Sequence, residues 1–445
     1  MRDAWGGGRQ SRGIEVNGHR RFLHPHVKTV HRGKRVVLLT AAATLAHAGG
    51  MKFNLALTAA CTVLLFNHTS LAAVSAPPFY GDPPDEHHPW GVHDGNRPQP
   101  KIVTPGTFSS DAQPGKPPSD AVLLFNGTDL SNWQLDKKDG PAKWLVRDGV
   151  MQVVPKAGTI RTKEEFADCQ LHIEWAEPKD IQGSSQGRGN SGLFLMGMCE
   201  IQVLDSYNNV TYADGHAAAL YGVNPPIANA LRPPGEFQVY DIVFRRPVYK
   251  QGQVVDPGYV TVFVNGVLAQ DHTPLEGTGG HKKRSKPLPF PEKGPLVLQD
   301  HGNPVRFRNI WYRPLPLRAS EGGTDGCLTA EATTAKRKQI AADIRQDADR
   351  LTDTANPAPQ LLRLLESLAY DRDEATVEKV TRMTSAYVQT VKQLPADQVG
   401  AKKDEVKQVK SALDYLEKAK ALPPGFGPQA EVESLVKAQH WDKKS

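Results

Sequence analysis

The run Glu200-Ile201-Gln202-Val203-Leu204-Asp205 alternates polar and apolar residues over its first four positions. That is the period of an extended strand, so Glu200 and Gln202 share one face and Ile201 and Val203 the other. A carboxyl presented in this way is a candidate general acid or base, and the amide beside it can bind a hydroxyl. A solvated strand face carries the same pattern, so alternation alone leaves both readings open. Asp205 ends the run. It is a candidate catalytic or metal-binding carboxylate, or a turn residue of the kind Asp often supplies at strand ends. Histidine is a side chain suited to general acid–base work at neutral pH, so His301, between Asp300 and Gly302, is a candidate second acid or base; a plain turn histidine is the alternative.

Other residues have the types that hold a ligand. Gln299 and Arg306 flank the His301 turn and suit hydroxyls or an oxyanion. Asn190 and Ser191 lie between Gly189 and Gly192, where the backbone can approach a ligand closely or make a tight turn. Lys163 and Glu174 are further binding candidates with solvated faces as their alternative, and Trp133 is either a stacking platform or a core aromatic. The Gly-x-Ser-x-Gly string at Gly183–Gly187 and the Gly-x-Gly-x-x-Gly string at Gly187–Gly192 lead into no helical pattern, so neither reads as a nucleophile elbow or a phosphate loop, and nucleotide and serine-hydrolase chemistry have no support.

These residues need strands to position them. Short apolar runs recur from Val122 to Trp311, separated by Asn126-Gly127, Asp148-Gly149, Asn265-Gly266 and His301-Gly302-Asn303. Many short strands with turn residues between them, and no helical pattern interposed, predict an antiparallel sandwich or jelly roll. Alternation puts Cys169, Leu171, Ile173 and Trp175 on one face and Gln170, His172 and Glu174 on the other. It likewise pairs Phe307 with Trp311, opposite Arg306 and Arg308.

The flanks differ in character. Met51-Lys52, the uncharged apolar run Phe53–Phe66 and the small residues up to Ala76 predict an export signal over 51–76, with 1–50 a basic extension or a misassigned start. The first 76 residues hold ten Lys and Arg against two acids, so the net charge of +6 becomes −2 without them. Removing the leader therefore removes the case for nucleic acid as a partner. A secreted, periplasmic or cell-envelope location is expected. Residues 77–118, dense in Pro and Gly, read as an extended linker. Cys169, Cys199 and Cys327 remain after the leader, an odd number without Cys-x-x-Cys spacing, which argues against a zinc site. Cys169 and Cys199 either pair or fill the core as small apolar residues. From 317 to 445, Ile340, Ile344, Ala348 and Leu351 form one helical stripe. Others are Leu361, Leu364, Leu365 and Leu368; Val377, Val380, Tyr387, Val391 and Leu394; and Val406, Val409, Leu413 and Leu416. They predict a small helical bundle for oligomerisation or docking, or a spacer.

Several blocks in the segment 119–316 occur in a specific order: Leu124-Phe125-Asn126-Gly127-Thr128-Asp129-Leu130-Ser131-Asn132-Trp133, Gly189-Asn190-Ser191-Gly192-Leu193-Phe194, Glu200 to Asp205, and Leu298-Gln299-Asp300-His301-Gly302-Asn303-Pro304-Val305-Arg306. On these the segment resembles the 3-keto-disaccharide hydrolase domain family, with Phe237 where the family usually carries Trp and Cys199 where an aromatic is common. The resemblance implies a concanavalin-A-like jelly-roll β-sandwich, mainly β, followed here by the helical bundle. It also implies an oligosaccharide or glycoside substrate already oxidised at C3. A C3 ketone acidifies the C2 hydrogen, so a base can remove it, the enolate expels the C1 substituent and water adds. That path needs a base, a donor or a divalent metal ion at the enolate oxygen, and an acid for the leaving group. Glu200, His301 and Asp205 are the expected catalytic residues. Two other readings are a non-catalytic carbohydrate-binding module and a laminarinase-like hydrolase, whose Glu-x-Asp-x-x-Glu strand Glu200 to Asp205 partly matches.

Overall fold

The computed structural model describes residues 78–275, 277–423 and 425–442, so the expected signal and basic extension lie outside the described residues. The strands, in chain order, are β1 (Val122–Phe125), β2 (Trp133–Leu135), β3 (Leu145–Arg147), β4 (Val150–Gln152), β5 (Ile160–Thr162), β6 (Cys169–Ala176), β7 (Ser191–Leu195), β8 (Cys199–Val203), β9 (Gln238–Arg245), β10 (Val248–Lys250), β11 (Gln253–Asp256), β12 (Tyr259–Val264), β13 (Val267–Pro274), β14 (Thr278–Gly280), β15 (Lys283–Lys286), β16 (Val297–Leu298) and β17 (Arg306–Pro314). One sheet runs β13-β12-β9-β6-β17-β4-β3, with β1 also on β17; the second runs β2-β5-β16-β7-β8. Two hairpins, β10-β11 and β14-β15, stand apart. The architecture is a jelly-roll β-sandwich followed by a helical region.

Period-two alternation builds the core between the sheets. Cys169, Leu171, Ile173 and Trp175 on β6 and Cys199, Ile201 and Val203 on β8 are fully buried, as their spacing predicts. Trp133, Tyr240, Phe244 and Phe307 complete the largest buried set, each such side chain contributing roughly 1.5–3 kcal/mol by leaving water. Trp133 is therefore a core aromatic, its indole N–H donating to the Leu124 carbonyl at 2.9 Å. Cys169 and Cys199 are buried free thiols.

Alternation fails at one place. Asn309 adopts φ 50° and the β17–β6 register slips between Arg308 and Trp311, which is a bulge. The extra residue turns Ile310 and Tyr312 into the core with Phe307. Trp311 is thrown to the other side, where it stacks on His172 at 4.9 Å. The predicted pairing of Phe307 with Trp311 is thereby corrected.

The C-terminal region holds α1 (Ala330–Asp349), α2 (Ala358–Leu368), α3 (Glu374–Lys392), the short α4 (Ala396–Val399), α5 (Lys403–Lys418) and α6 (Gly427–Ala438). Thr329 and Asp373 cap α1 and α3 by accepting from the amides of Ala332 and Thr376. The stripes at 361–368, 377–391 and 406–416 are buried together in one cluster; Leu351 lies past the end of α1 and is exposed. No helix among the described residues is long and apolar enough to cross a membrane.

The Pro/Gly-rich segment contains no helix or strand among its described residues, but it is held at both ends. Phe79 and Trp90 pack on the helical cluster, and Asn96 donates to Glu366 at 2.7 Å. Farther on, Ser109 donates to Glu174 at 2.7 Å, while the carbonyls of Ser110 and Gly115 accept from Arg308 and Asn309. Residues 104–119 form a strap over the outer face of the larger sheet.

Candidate active site

The smaller sheet sets up a row of side chains on its outer face. Gln134 pairs with Arg161, Arg161 with Val297, Val297 with Phe194, and Phe194 with Glu200, one residue from each of the five strands. Directly opposed residues of antiparallel strands point the same way, so these five side chains line one transverse track. Beyond β8, Ile201 bridges Leu220 and the Tyr221 amide donates to the Glu200 carbonyl at 3.1 Å. That places Tyr221 next in the row. A second row, one step along, contains Gln299, Gly192 and Gln202: Gly192 pairs with Gln202, and the Gln299 amide donates to the Gly192 carbonyl.

Glu200 sits partly buried with no side-chain hydrogen bond among the described residues. Burial alone pushes its pKa up to about 7. Space for its carboxyl comes from Gly192, where a Cβ would run into Glu200 Oε1. On the other side stand two phenols whose hydroxyls lie 2.8 Å apart, Tyr212 and Tyr221, and Tyr221 reaches His281 Nδ1 at 3.3 Å. Burial raises the Tyr212 pKa; its bond to Tyr221 and the nearby charges of Tyr221, Asp214 and Glu200 raise it further. Gln202 is roofed over. Its amide donates to Gln186 at 2.9 Å, and Gln186 in turn donates to Thr211 and the Gly215 carbonyl. Asn190 also holds this roof, donating to the Gln186 carbonyl at 2.7 Å.

Where the track crosses β7 and β16 it opens into a cavity of about 550 Å³, floored by Phe194, Val297 and Gln299 and rimmed by Lys137, Lys138, Lys143 and Lys156. That volume is ordinary for a small-molecule site. Glu200, Gln202 and Gln299 are the sequence-predicted residues that share this face.

The remaining candidates are placed elsewhere. Asp205 is buried and ion-paired with Arg188 at 2.6 Å, and it accepts from the Tyr207 amide at 3.2 Å. It lines a different depression with Lys179, Gly189 and Asn303, so it is a structural carboxylate here and not a partner of Glu200. Ser191 faces inward and donates to the Gln299 carbonyl at 2.7 Å, fastening β7 to β16. Asn190, as noted, holds the roof and is spent on backbone. Arg306 belongs to the larger sheet, donates to the Gly235 carbonyl at 2.8 Å and lies over the Phe237 ring. Glu174 lies on that same sheet under the strap. Burial opposes its ionisation, but bonds from His172, Asn309, Ser109 and Arg308 prevail and hold its pKa down at about 2. Its role is to anchor the strap. Lys163 is exposed beyond β5 and lines no part of the cavity. His301 is exposed on the turn after β16. It shares no hydrogen bond with Glu200 and lines no part of the cavity.

Sequence reasoning missed Tyr212, Tyr221, His281 and Gln186, which come from loops without periodicity. It also missed Glu177, wholly buried at the end of β6 with one carboxylate oxygen unpartnered. Burial pushes its pKa up to about 8, and the neighbouring charge of Asp205 adds to this. Among the described residues no three or more His, Cys, Asp and Glu side chains converge as a metal would need.

Residues 120–313 match the profile of the 3-keto-alpha-glucoside-1,2-lyase-like domain. The sandwich belongs to that family. This makes the chain a carbohydrate-active enzyme by class. Among solved structures, the 3-keto-alpha-glucoside-1,2-lyase-like domain is similar to a protein of Parabacteroides distasonis provisionally described as a glycosyl hydrolase. Identity is 46%, covering 49% of this chain and 93% of that one, with a TM-score of 0.47. A second protein of that organism, described in the same way, is 22% identical over 44% of this chain and 94% of its own, with a TM-score of 0.33. A prokaryotic β-1,3-1,4-glucanase (lichenase) from a mouse hindgut metagenome is 12% identical over 43% and 97%, with a TM-score of 0.23. The sequence matches none of the curated proteins.

Proposed function

We propose that this chain cleaves 3-keto-glycosides, with Glu200 as the base that removes the C2 proton. The observation that carries this reading is the carboxyl itself. It is unpartnered on the outer face of the sheet and pushed by burial to about 7, where one group can both take and return a proton at neutral pH.

The proton passes from C2 to Glu200, and the electron pair it leaves is delocalised onto the C3 oxygen. The Tyr212 and Tyr221 hydroxyls, on the same side of β8, supply the donors for that oxygen. Collapse of the enolate breaks the bond from C1 to the leaving oxygen and forms C1=C2. Protonated Glu200 or the phenol pair supplies the departing oxygen with its proton. Water then adds at C1 and a proton returns to C2, giving the free 3-keto sugar. His301, on an exposed turn and outside the cavity lining, takes no step in this reaction. The apolar leader supports an exported enzyme.

The test is to incubate the protein with a 3-keto-glucoside and with its unoxidised parent, each with and without a chelator. Turnover of the keto substrate alone, accompanied by the ultraviolet band of a conjugated enone, supports the reading. Turnover of the parent would instead indicate ordinary glycoside hydrolysis, and binding without turnover a carbohydrate-binding module.

A further inference from the structure

We infer that the cavity beside the Glu200 row is a subsite for a negatively charged sugar, so that the substrate is an acidic oligosaccharide bearing a carboxylate or sulfate. This rests on the reading of the outer face as the substrate track. The cavity rim carries Lys137, Lys138, Lys143 and Lys156, and Asp136 is the sole acid among its described lining residues. None of the four lysines makes a salt bridge or side-chain hydrogen bond among the described residues. Arg161, paired with Gln134 across β2 and β5, lies one step along the row and adds a fifth cation beside the cavity.

Charge alone would describe any solvated surface. Here it rims a concave space whose floor combines an aromatic, Phe194, which is the residue paired with Glu200, with an amide, Gln299. The lysines come from two separate turns, Lys137 to Lys143 after β2 and Lys156 before β5, which converge on one opening. From β8 to β2 the row crosses four strand spacings, about 19 Å. A short oligosaccharide with its reacting ring at Glu200 therefore extends its later rings into the lysine rim. Ammonium groups on a rim recognise charge without fixed geometry, which suits carboxylate and sulfate alike. Such exposed ion pairs are screened by salt, so the preference must be salt-dependent.

Calorimetry on the full chain carrying Glu200→Gln tests this with unoxidised probes: glucosyl-glucose, glucosyl-glucuronate and a sulfated glucosyl-glucose. The expected result is binding of one or both acidic probes on the order of tenfold tighter than the neutral one at low salt, with the advantage lost at high salt. Binding of the uronate alone, or of the sulfated sugar alone, identifies which anion the rim accepts. Charge reversal by Lys143→Glu with Lys156→Glu should abolish the preference while the melting temperature stays near that of the parent. Equal affinity for acidic and neutral probes overturns the inference, as does a preference that survives the reversal. These arms need no turnover. Failure to cleave a 3-keto-glycoside would remove Glu200 as a base and leave an acidic-sugar preference standing.

Discussion

Glu200 and Gly192 are complementary in shape. They lie on adjacent strands, and the carboxyl of the first occupies the volume that any side chain at the second would fill. A strand position normally favours a side chain over glycine. Here the missing methyl is what allows a carboxyl to lie against the sheet, half out of water, without a partner.

Replacing that glycine should therefore damage chemistry more than folding. Gly192 lies in β7 with ordinary strand geometry, so Gly192→Ala incurs no backbone strain, but its Cβ displaces the Glu200 carboxyl. We expect kcat to fall by roughly ten- to a hundredfold. The limb of the pH profile assigned to Glu200 should shift toward the ordinary carboxylate range as the group moves into water. Steady-state kinetics across pH 5 to 9 reads both.

Glu200→Gln keeps the volume and removes the proton acceptor. Loss of a general base costs roughly a hundred- to ten-thousandfold, with the melting temperature little changed. In the unsubstituted protein, kcat/KM should rise with pH through about 7, because the base acts ionised and its pKa lies there. A flat profile, or unchanged kinetics in the Gln variant, would remove Glu200 from the reaction.

Asp205→Asn separates structure from catalysis. It leaves Arg188 buried without its counter-charge, which typically costs roughly 3–5 kcal/mol. Thermal or denaturant unfolding should show that loss, while the pH at which kcat/KM turns stays in place. A shifted pH profile with unchanged stability would return Asp205 to the chemistry.

Two buried carboxyls should pull stability in opposite directions with pH. Glu174 is held down at about 2, below its unfolded value. It stabilises the fold above the ordinary carboxylate pKa, and this support fades as pH falls through the folded value. Glu177 is pushed up to about 8. Its contribution is complete below the ordinary carboxylate pKa and is lost as pH rises through about 8. Glu177→Gln should therefore unfold at a higher temperature than the parent at pH 9 and show no such gain at pH 5. Melting curves at the two pH values decide this.

Much of the fold was legible because alternation and turn residues are local signals. Glu200 and Gln202 could be assigned to a polar face from spacing alone. Alternation names the face but not the sheet, however, so Glu174 and Arg306 looked equivalent to Glu200 although they belong to the opposite layer. Asp205 lies two residues past the end of β8, where alternation no longer fixes a face. Tyr221 comes beside Glu200, and Tyr212 and His281 meet Tyr221, only through chain closure between distant loops, which leaves no local pattern. The bulge at Asn309 was hidden for a related reason. Asn tolerates positive φ, but nothing nearby in sequence demands it there.

The strap that fastens onto Glu174, Arg308 and Asn309 ends where the matched family block begins, at residue 120. The homologous block and the folding unit thus have different edges. Cutting the chain at the edge of homology would strip the cover from a buried ion pair and let water in beside Trp311. Any shortened version of the sandwich therefore has to begin upstream of Thr104, inside what composition alone marks as a disposable spacer.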